Sequence, residues 1–189
     1  FASGVGGTKF SSTRFGNVLG SNGSVIPIFV DQIKSGGPVT VTHAEMSRFA
    51  MSVKQSASLV ISSSLHARGG EVFVTKMPVL KIIDLAEFLI GHYGPKFGFR
   101  PSDINIEFIG EKLGEKLYEE LMTAEESRRA LELEDYFCIL PPSTLKKGEY
   151  ETPTDRKVQD FRDQRYVSST CPMMSKSEIG EFLEALGLL

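Results

Sequence analysis

Two cysteines, three histidines and no tryptophan among 189 residues limit the chemistry that this sequence can support. Cys138 and Cys171 are far apart, and neither has the short spacing to another cysteine that zinc sites use. The histidines, His43, His66 and His92, match no metal-ligand spacing either. We therefore expect no metal site and no disulfide framework, and two isolated thiols are typical of the cytoplasm.

Long apolar runs and large blocks of one charge are also missing. No apolar stretch approaches the roughly 20 residues of a membrane-spanning helix, so we predict no membrane span. The formal net charge is −3, and no basic block exceeds Lys146-Lys147, which argues against nucleic-acid binding. The first ten residues, FASGVGGTKF, do not resemble a signal peptide but the end of a helix and the entry to a strand. This pattern suggests that the chain begins within a domain.

The residues that are present describe an ordinary globular protein, with 41% hydrophobic and 24% charged side chains. The first half alternates between strand and helix patterns. We predict one strand over Phe10 to Val18, a helix capped by Ser24 that stops at Gly36-Gly37, a second helix after Ser52, and a strand in EVFVTK. The apolar stripe of the second helix contains Ala57, Val60, Ile61 and Leu65. This order is typical of an open α/β sheet.

The second half is more mixed. The segment KIIDLAEFLIGHYG predicts an amphipathic helix, and INIEFIG predicts a strand. The segment LELEDYFCIL ends in a run of residues typical of a strand. The segment GEKLYEELMT favours a helix by propensity. Residues 143–165 are polar and predict a surface loop or arm, and the Ser175/Glu178 capping box begins a last helix.

Glycines follow the first predicted strand where a ligand could approach the backbone. Gly16, Gly20 and Gly23 surround Asn17, and the helix after Ser24 offers free N–H groups to a phosphate oxygen. An ordinary strand-to-helix loop that uses glycines for its turns stays open as the alternative.

Two charged segments are further candidates. Arg48 lies among apolar residues in a predicted loop, so it needs a carboxylate or a ligand phosphate as partner, unless it is a surface arginine in a turn. The segment GEKLGEKLYEEL supplies Lys112, Glu115 and Lys116. A solvated helix face is its ordinary explanation, although its glycines permit a ligand contact from a loop.

No Walker loop, no Gly-x-Ser-x-Gly elbow and no complete G-x-G-x-x-G motif occurs. Five segments instead follow one another in a familiar order: TRFGNVLGSNGSVIPIF, VTVTHAEMSRFAMSVKQSASLV, GGEVFVTKMPVLKIIDLAEFLI, IEFIGEKLGEKLYEELMTAEES and ALELEDYFCILPP. Together they resemble the C-terminal portion of the UDP-N-acetylglucosamine 4,6-dehydratase family, nucleotide-sugar enzymes with the extended short-chain dehydrogenase/reductase fold. ALELEDYFCILPP and YVSS resemble its inverting, 5-epimerising branch.

The resemblance implies a reaction and a cofactor. A tightly held NADP or NAD takes hydride from C4 of the sugar, water leaves across C5 and C6, and the hydride returns at C6. The Tyr-x-x-x-Lys pair and the glycine-rich cofactor loop that drive the oxidation do not occur in this sequence. We therefore expect no catalytic residue in this chain, which would be part of a longer enzyme and inactive alone.

The resemblance also implies binding roles. Asn17 corresponds to an asparagine that contacts substrate, and Ser24 and Val25 correspond to a loop along the UDP. Arg48 corresponds to an arginine that binds the nucleotide phosphates. Glu115 corresponds to a glutamate that holds the ribose.

The remaining correspondences are less regular. Phe15 and Val18 correspond to positions on the nicotinamide side. Lys112 and Leu113 replace an arginine and a proline of the family, and Asn22 replaces an arginine. Lys112 is expected to attract the diphosphate without the two parallel donors of an arginine.

These observations predict an α/β fold with two parts. Residues 1–80 would form part of a Rossmann-type parallel layer with a substrate-loop insertion, and residues 81–189 a small α+β substrate-binding lobe and C-terminal arm. The implied ligand is a UDP-N-acetylhexosamine, and the full-length protein is expected to be a homo-oligomer. A UDP-sugar 4-epimerase of the same fold and a non-catalytic fragment that binds sugar nucleotides are the alternatives.

Overall fold

The computed structural model describes residues 7–21, 23–110, 114–142, 159–160 and 164–189. The helices are α1 (Val25–Lys34), α2 (Val53–His66), α3 (Ile82–Tyr93), α4 (Ala124–Ser127) and α5 (Lys176–Ala185). The strands are β1 (Ser12–Arg14), β2 (Asn17–Val18), β3 (Val39–Val41), β4 (Ser47–Met51), β5 (Val72–Thr75), β6 (Val79–Lys81), β7 (Ile106–Phe108), β8 (Glu120–Met122), β9 (Ala130–Glu132), β10 (Tyr136–Ile139), β11 (Gln159–Asp160) and β12 (Tyr166–Val167). Two compact units result, each built from three separate stretches.

The first unit draws its described residues from 1–16, 54–77 and 120–167. Its main sheet has the order β1-β5-β10-β9-β11, in which β1 and β5 are parallel and the other pairs antiparallel. Leu59 of α2 belongs to the same buried cluster as Phe73 and Leu131 of the sheet. A separate pair, β8 and β12, is antiparallel.

The second unit draws its described residues from 17–53, 78–119 and 168–189. It contains the sheet β2-β4-β6, with β2 parallel and β6 antiparallel to β4, and the parallel pair β3-β7. Helix α3 packs against α1 and α5. The shared core includes Phe29, Ile33, Leu89, Ile179 and Leu183.

Parallel strand pairs next to helices confirm the α/β fold class. The helices at α1, α3 and α5 and the strands at β5, β7 and β10 are also confirmed. The assignment of functions to residues 1–80 and 81–189 stays a prediction. Most of the polar segment 143–165 lies outside the described residues, and its described strand β11 pairs with β9.

The single strand predicted over Phe10 to Val18 is wrong. β1 ends at Arg14 and β2 begins at Asn17, and these two strands belong to different sheets. The chain passes from the first unit to the second between Gly16 and Asn17. A continuous β-rich composition cannot reveal this change, because both halves of the run are strands.

The apolar stripe predicted for α2 does not form the buried face of this helix. Val60, Ile61 and Leu65 are exposed, and Leu65 keeps 75% of its surface. The buried side chains of α2 are Leu59 and Ser63. The hydroxyl of Ser63 donates to the Val60 carbonyl, so this polar side chain lies on the buried face of α2 with its hydrogen-bond donor satisfied.

The helix predicted in GEKLYEELMT is a third error. Within 114–119 the backbone is not helical, and β8 follows. The Ser47 N–H donates to the Leu117 carbonyl, so this segment pairs with the edge of β4 instead. Tertiary pairing overrides a weak helix propensity here.

Two glycines in helices give opposite expectations for the same substitution. A Cβ at Gly180 of α5 would lie 2.7 Å from Cε2 of Phe88, whereas no described atom lies within 4 Å of a Cβ at Gly91 of α3. Gly91→Ala should stabilise the protein by about 0.5–1 kcal/mol. Gly180→Ala should destabilise it by about 1 kcal/mol net, since overpacking costs about 1–3 kcal/mol and exceeds the propensity gain. Urea denaturation of both variants checks the signs, and a stabilised Gly180→Ala variant would contradict the packing of α5 on α3.

An ion pair links β1 to α4 in the first unit. Arg14 Nη1 lies 3.0 Å from Glu126 Oε2, and Nη2 lies 2.8 Å from Oε1. Burial by itself raises the pKa of Glu126 and is the largest single influence. The hydrogen bonds from Arg14 and Thr123, with the charge of Arg14, outweigh burial and hold this pKa below 4.5.

Because the folded-state pKa of Glu126 is lowered, its ion pair should stabilise the protein above the ordinary glutamate pKa and lose this effect as the pH falls through the lowered value. Glu126→Gln should reduce the free energy of unfolding at pH 7 by about 1–2 kcal/mol and make stability less sensitive to acid below pH 4.5. Denaturation between pH 7 and pH 3 measures both effects. Glu107→Gln, at an exposed carboxylate, is the matched control, and equal acid sensitivity of the two variants would refute the role of Glu126.

Candidate functional site

One cavity of the second unit gathers most of the residues singled out in the sequence. Its volume is about 470 Å³, and the ends of β2, β3 and β4 and the first turns of α1 form its walls. The lining includes Asn17, Val18, Ser24, Val25, Arg48 and Glu115. The structure thus brings together six of the eight predicted site residues.

Ser24 is the N-cap residue of α1, as predicted, but its side chain makes no capping hydrogen bond. Its hydroxyl oxygen is buried and has no hydrogen-bond partner among the described residues. An N-cap serine usually accepts from the second or third residue of its helix, and the third residue here is Pro27, which has no N–H. The first turn also contains no acidic side chain. This helix end therefore places a hydroxyl without a described partner, and the N–H groups of its first turn, beside the cavity, an arrangement suited to an anion.

Arg48 lies on strand β4, which corrects its prediction as a loop residue. Its Nη1 atom donates to the carbonyls of Ser47 at 2.8 Å and Leu117 at 3.2 Å. These two bonds use both hydrogens of Nη1 and fix the plane of the guanidinium. Within the described part of the chain, the donors on Nη2 and Nε remain for a ligand.

Glu115 faces the same guanidinium. Its Oε1 lies 3.8 Å from Arg48 Nη2, an ion pair too long for a hydrogen bond. Its Oε2 is buried, and no described residue gives it a hydrogen bond. A carboxylate oxygen only accepts hydrogen bonds, so this atom suits a ligand group that can donate one, such as a hydroxyl.

Two polar residues of the site were missed in the sequence. Glu119 was part of the predicted helix GEKLYEELMT, and Ser168 lies in the YVSS segment that served only the family resemblance. Glu119 accepts a hydrogen bond from Asn17 Nδ2 at 2.8 Å and another from the Phe49 N–H at 3.0 Å. No local signal distinguishes this carboxylate from its acidic neighbours.

Ser168 ties three segments together beside the cavity wall. Its hydroxyl oxygen accepts from the Glu119 N–H at 2.9 Å and lies 2.9 Å from the Ser47 hydroxyl. It also donates to the Ser47 carbonyl at 3.2 Å, so the Ser47 hydroxyl is the donor between the two side chains. Both serines are fully buried, and this network holds Glu119 in place.

The two other predicted residues are not in this group. Phe15 belongs to the first unit, keeps 38% of its surface exposed and does not line the cavity. Lys112 lies outside the described residues, as do Leu113 and Asn22.

The family model described as "Polysaccharide biosynthesis protein" matches residues 2–141. The chain belongs to this family. It is 55% identical over 121 residues to the capsular polysaccharide biosynthesis protein CapD of Staphylococcus aureus, a match that covers 63% of this chain and 19% of that protein. It is 38% identical over 180 residues to a UDP-glucose 4-epimerase of Rickettsia canadensis, a match that covers 95% of this chain and 50% of the epimerase.

A solved structure of high similarity has the same fold. The structure of Pen from Bacillus thuringiensis has a TM-score of 0.83 and 41% identity, over 98% of this chain and 52% of that one. The resemblance to the polysaccharide-biosynthesis dehydratases and epimerases is thus confirmed, whereas the 4,6-dehydratase reaction and the inverting branch stay predictions. The chain spans between about a fifth and about half of the length of the curated relatives it matches.

Two further features concern the described residues alone. None of their helices is long and apolar enough to cross a membrane. Among the same residues, no group of three histidine, cysteine, aspartate or glutamate side chains is arranged to hold a metal ion.

Ser168→Ala should destabilise the protein by about 1–3 kcal/mol, because it leaves the Glu119 N–H and the buried Ser47 hydroxyl without this partner. Ser64→Ala is the matched control, since Ser64 is exposed and its hydroxyl donates to a carbonyl within α2. That change should be neutral or slightly stabilising. Denaturant midpoints compare the two variants, and equal midpoints would mean that the Ser168 network does not stabilise the site.

Proposed function

We propose that this cavity binds a UDP-N-acetylhexosamine, and that the protein is a UDP-N-acetylglucosamine 4,6-dehydratase of the inverting, 5-epimerising type that acts in surface-polysaccharide or nonulosonic-acid biosynthesis. The observation that carries the proposal is the buried Ser24 hydroxyl at the start of α1, which lacks a partner among the described residues and shares one cavity with Arg48. Family membership supports the reaction class.

The diphosphate would lie between α1 and Arg48. Phosphate oxygens accept hydrogen bonds and are negative, and the helix end supplies donors with a positive partial charge. Arg48 supplies a full charge and further donors in a fixed plane, which matches the geometry of a phosphate. Lys112 remains a predicted further contact to the diphosphate.

The ribose would lie against Glu115. Its buried Oε2 needs a donor, and the hydroxyls of a ribose supply one, whereas an ionised phosphate has no hydrogen to give. The nucleobase would contact the apolar part of the wall, where Ile28 and Ile109 each keep 47% of their surface exposed.

The cofactor is proposed to be NADP or NAD, which would accept and return a hydride. Of the two residues implied for it, Val18 lies on the cavity wall beside Asn17, and Phe15 does not. The part of this chain in the reaction is therefore to bind and orient the sugar nucleotide. Homo-oligomerisation, a cytoplasmic location and inactivity of the chain alone stay predictions.

A UDP-sugar 4-epimerase is the second candidate, because the epimerase of Rickettsia canadensis matches 95% of this chain. A non-catalytic fragment that binds sugar nucleotides is the third.

Incubation of the full-length protein with UDP-N-acetylglucosamine and NADP or NAD, followed by mass spectrometry, separates the two enzymes. A dehydratase gives a 4-keto product lighter by one water, whereas an epimerase gives an isomer of equal mass. Binding without either product would favour the fragment.

Arg48→Ala should weaken UDP binding by about 2–3 kcal/mol, the lower range for truncating one partner of a desolvated charge pair. Ser24→Ala should weaken it by about 1 kcal/mol, the value of one hydrogen bond. Titration calorimetry with UDP measures both effects, with Ser64→Ala, at an exposed position of α2 outside the cavity lining, as control. Thermal midpoints are measured alongside, because Arg48 also binds the Leu117 carbonyl. Unchanged UDP affinity in a folded Arg48→Ala variant would refute the proposed diphosphate site.

A further inference from the structure

The Asn17 side chain is held by two acceptors. Its Nδ2 atom lies 2.8 Å from Glu119 Oε1 and 3.4 Å from the Phe49 carbonyl oxygen. A carboxylate has no hydrogen to donate, so the Asn17 nitrogen must face Glu119 and the Asn17 oxygen must face away. The orientation of this carboxamide is therefore fixed by chemistry rather than chosen between two equivalent placements.

Glu119 is itself fixed at several points. Its Oε2 accepts from the Phe49 N–H at 3.0 Å, and its backbone N–H donates to the buried Ser168 hydroxyl at 2.9 Å. Its carbonyl accepts from the Ser168 N–H at 2.9 Å. The carboxylate cannot turn without losing the Phe49 bond.

We propose that Glu119 is a positioning residue that makes Asn17 present an oxygen, and not a nitrogen, to the cavity. The Asn17 carboxamide then accepts a hydrogen bond from the acetamido N–H of the hexosamine, a group that donates and cannot accept. It does not contact the diphosphate, whose oxygens also only accept. This inference rests on the proposed function and adds which part of the ligand Asn17 recognises.

Glu119→Gln tests the inference because it reverses the polarity of this contact. The glutamine oxygen must take the Phe49 N–H, which turns the glutamine nitrogen toward Asn17. Asn17 then turns its oxygen to that nitrogen and presents its own nitrogen to the cavity. We expect about tenfold weaker binding of UDP-N-acetylglucosamine and less than about twofold change for UDP, because a donor then faces a donor on the sugar.

The double variant Asn17→Asp with Glu119→Gln should restore binding. The new glutamine nitrogen donates to one oxygen of the new aspartate, and the other aspartate oxygen accepts from the sugar. The pair keeps its total charge of about −1 at neutral pH, since the carboxylate only changes position. Asn17→Ala supplies the second check: if Glu119 acts through Asn17, adding Glu119→Gln to Asn17→Ala causes no further loss of UDP-N-acetylglucosamine affinity.

Titration calorimetry with UDP-N-acetylglucosamine and with UDP, together with the thermal midpoint of each variant, separates the outcomes. Sugar-selective loss in Glu119→Gln with recovery in the double variant supports the inference. Equal losses of affinity for both ligands, or no recovery in the double variant, would show that Glu119 has only a structural role and would overturn the inference. In that case, UDP binding by the unchanged protein would still support the proposed function.

If Glu119→Gln does not fold, Asn17→Ala still tests the contact between Asn17 and the sugar, on which the inference depends. A loss of affinity for UDP-N-acetylglucosamine without a loss for UDP supports the inference, and an equal effect on both ligands overturns it. Binding of neither ligand by the unchanged protein refutes the proposed function and this inference with it.

Discussion

The candidate site depends on the pairing of one edge of β4 with the segment 117–119. The Ser47 N–H donates to the Leu117 carbonyl, and the Phe49 N–H donates to the Glu119 carboxylate. Between these two residues of β4 lies Arg48, whose guanidinium donates to the same Leu117 carbonyl. The buried strand thus fixes Arg48 and, through Glu119, Asn17. A shift of one residue along this edge would exchange Arg48 for a core side chain, so the hydrophobic core of the unit specifies the geometry of the site.

Local sequence patterns were sufficient to predict those helices and strands whose pattern is compatible with one kind of structure only. The α5 capping box at Ser175 and Glu178 forms as its sequence predicts, and α1 stops before the glycines that follow it. The grouping of Asn17, Ser24 and Arg48 followed from a resemblance between whole segments, not from spacing. Residues distant in the chain come together only through the fold, and a known family is the available source of that information in a single sequence.

The errors arose where an alternative partner outweighed a local preference. The residues 114–119 favour a helix by composition, but their polar groups pair with β4. The apolar positions of α2 have helical spacing, yet the small Ser63 and not Leu65 lies in the core. Arg48 was assigned to a loop, but it lies on β4, where its neighbours Ser47 and Phe49 are buried. Its guanidinium lies at the cavity wall and donates to the carbonyls of Ser47 and Leu117.

The charges on the cavity wall explain why geometry has to select the ligand. Arg48 and Glu115 are the charged members of the described lining, and their charges cancel. Net attraction alone cannot hold an anion there. Arg48 Nη2 and Glu115 Oε1 lie 3.8 Å apart without a hydrogen bond between them. Each side chain therefore keeps hydrogen-bonding groups that a ligand can use. A ligand with an anionic part next to a hydroxyl-bearing part can satisfy both at once, with the anion on Arg48 and the α1 terminus and the hydroxyl on Glu115. A simple anion would leave the Glu115 oxygen as it is, buried and without a described partner, whereas a ligand that also carries a hydroxyl would pair it. Under the proposed function, this additional hydrogen bond is the reason to expect tighter binding of a nucleoside diphosphate than of free phosphate.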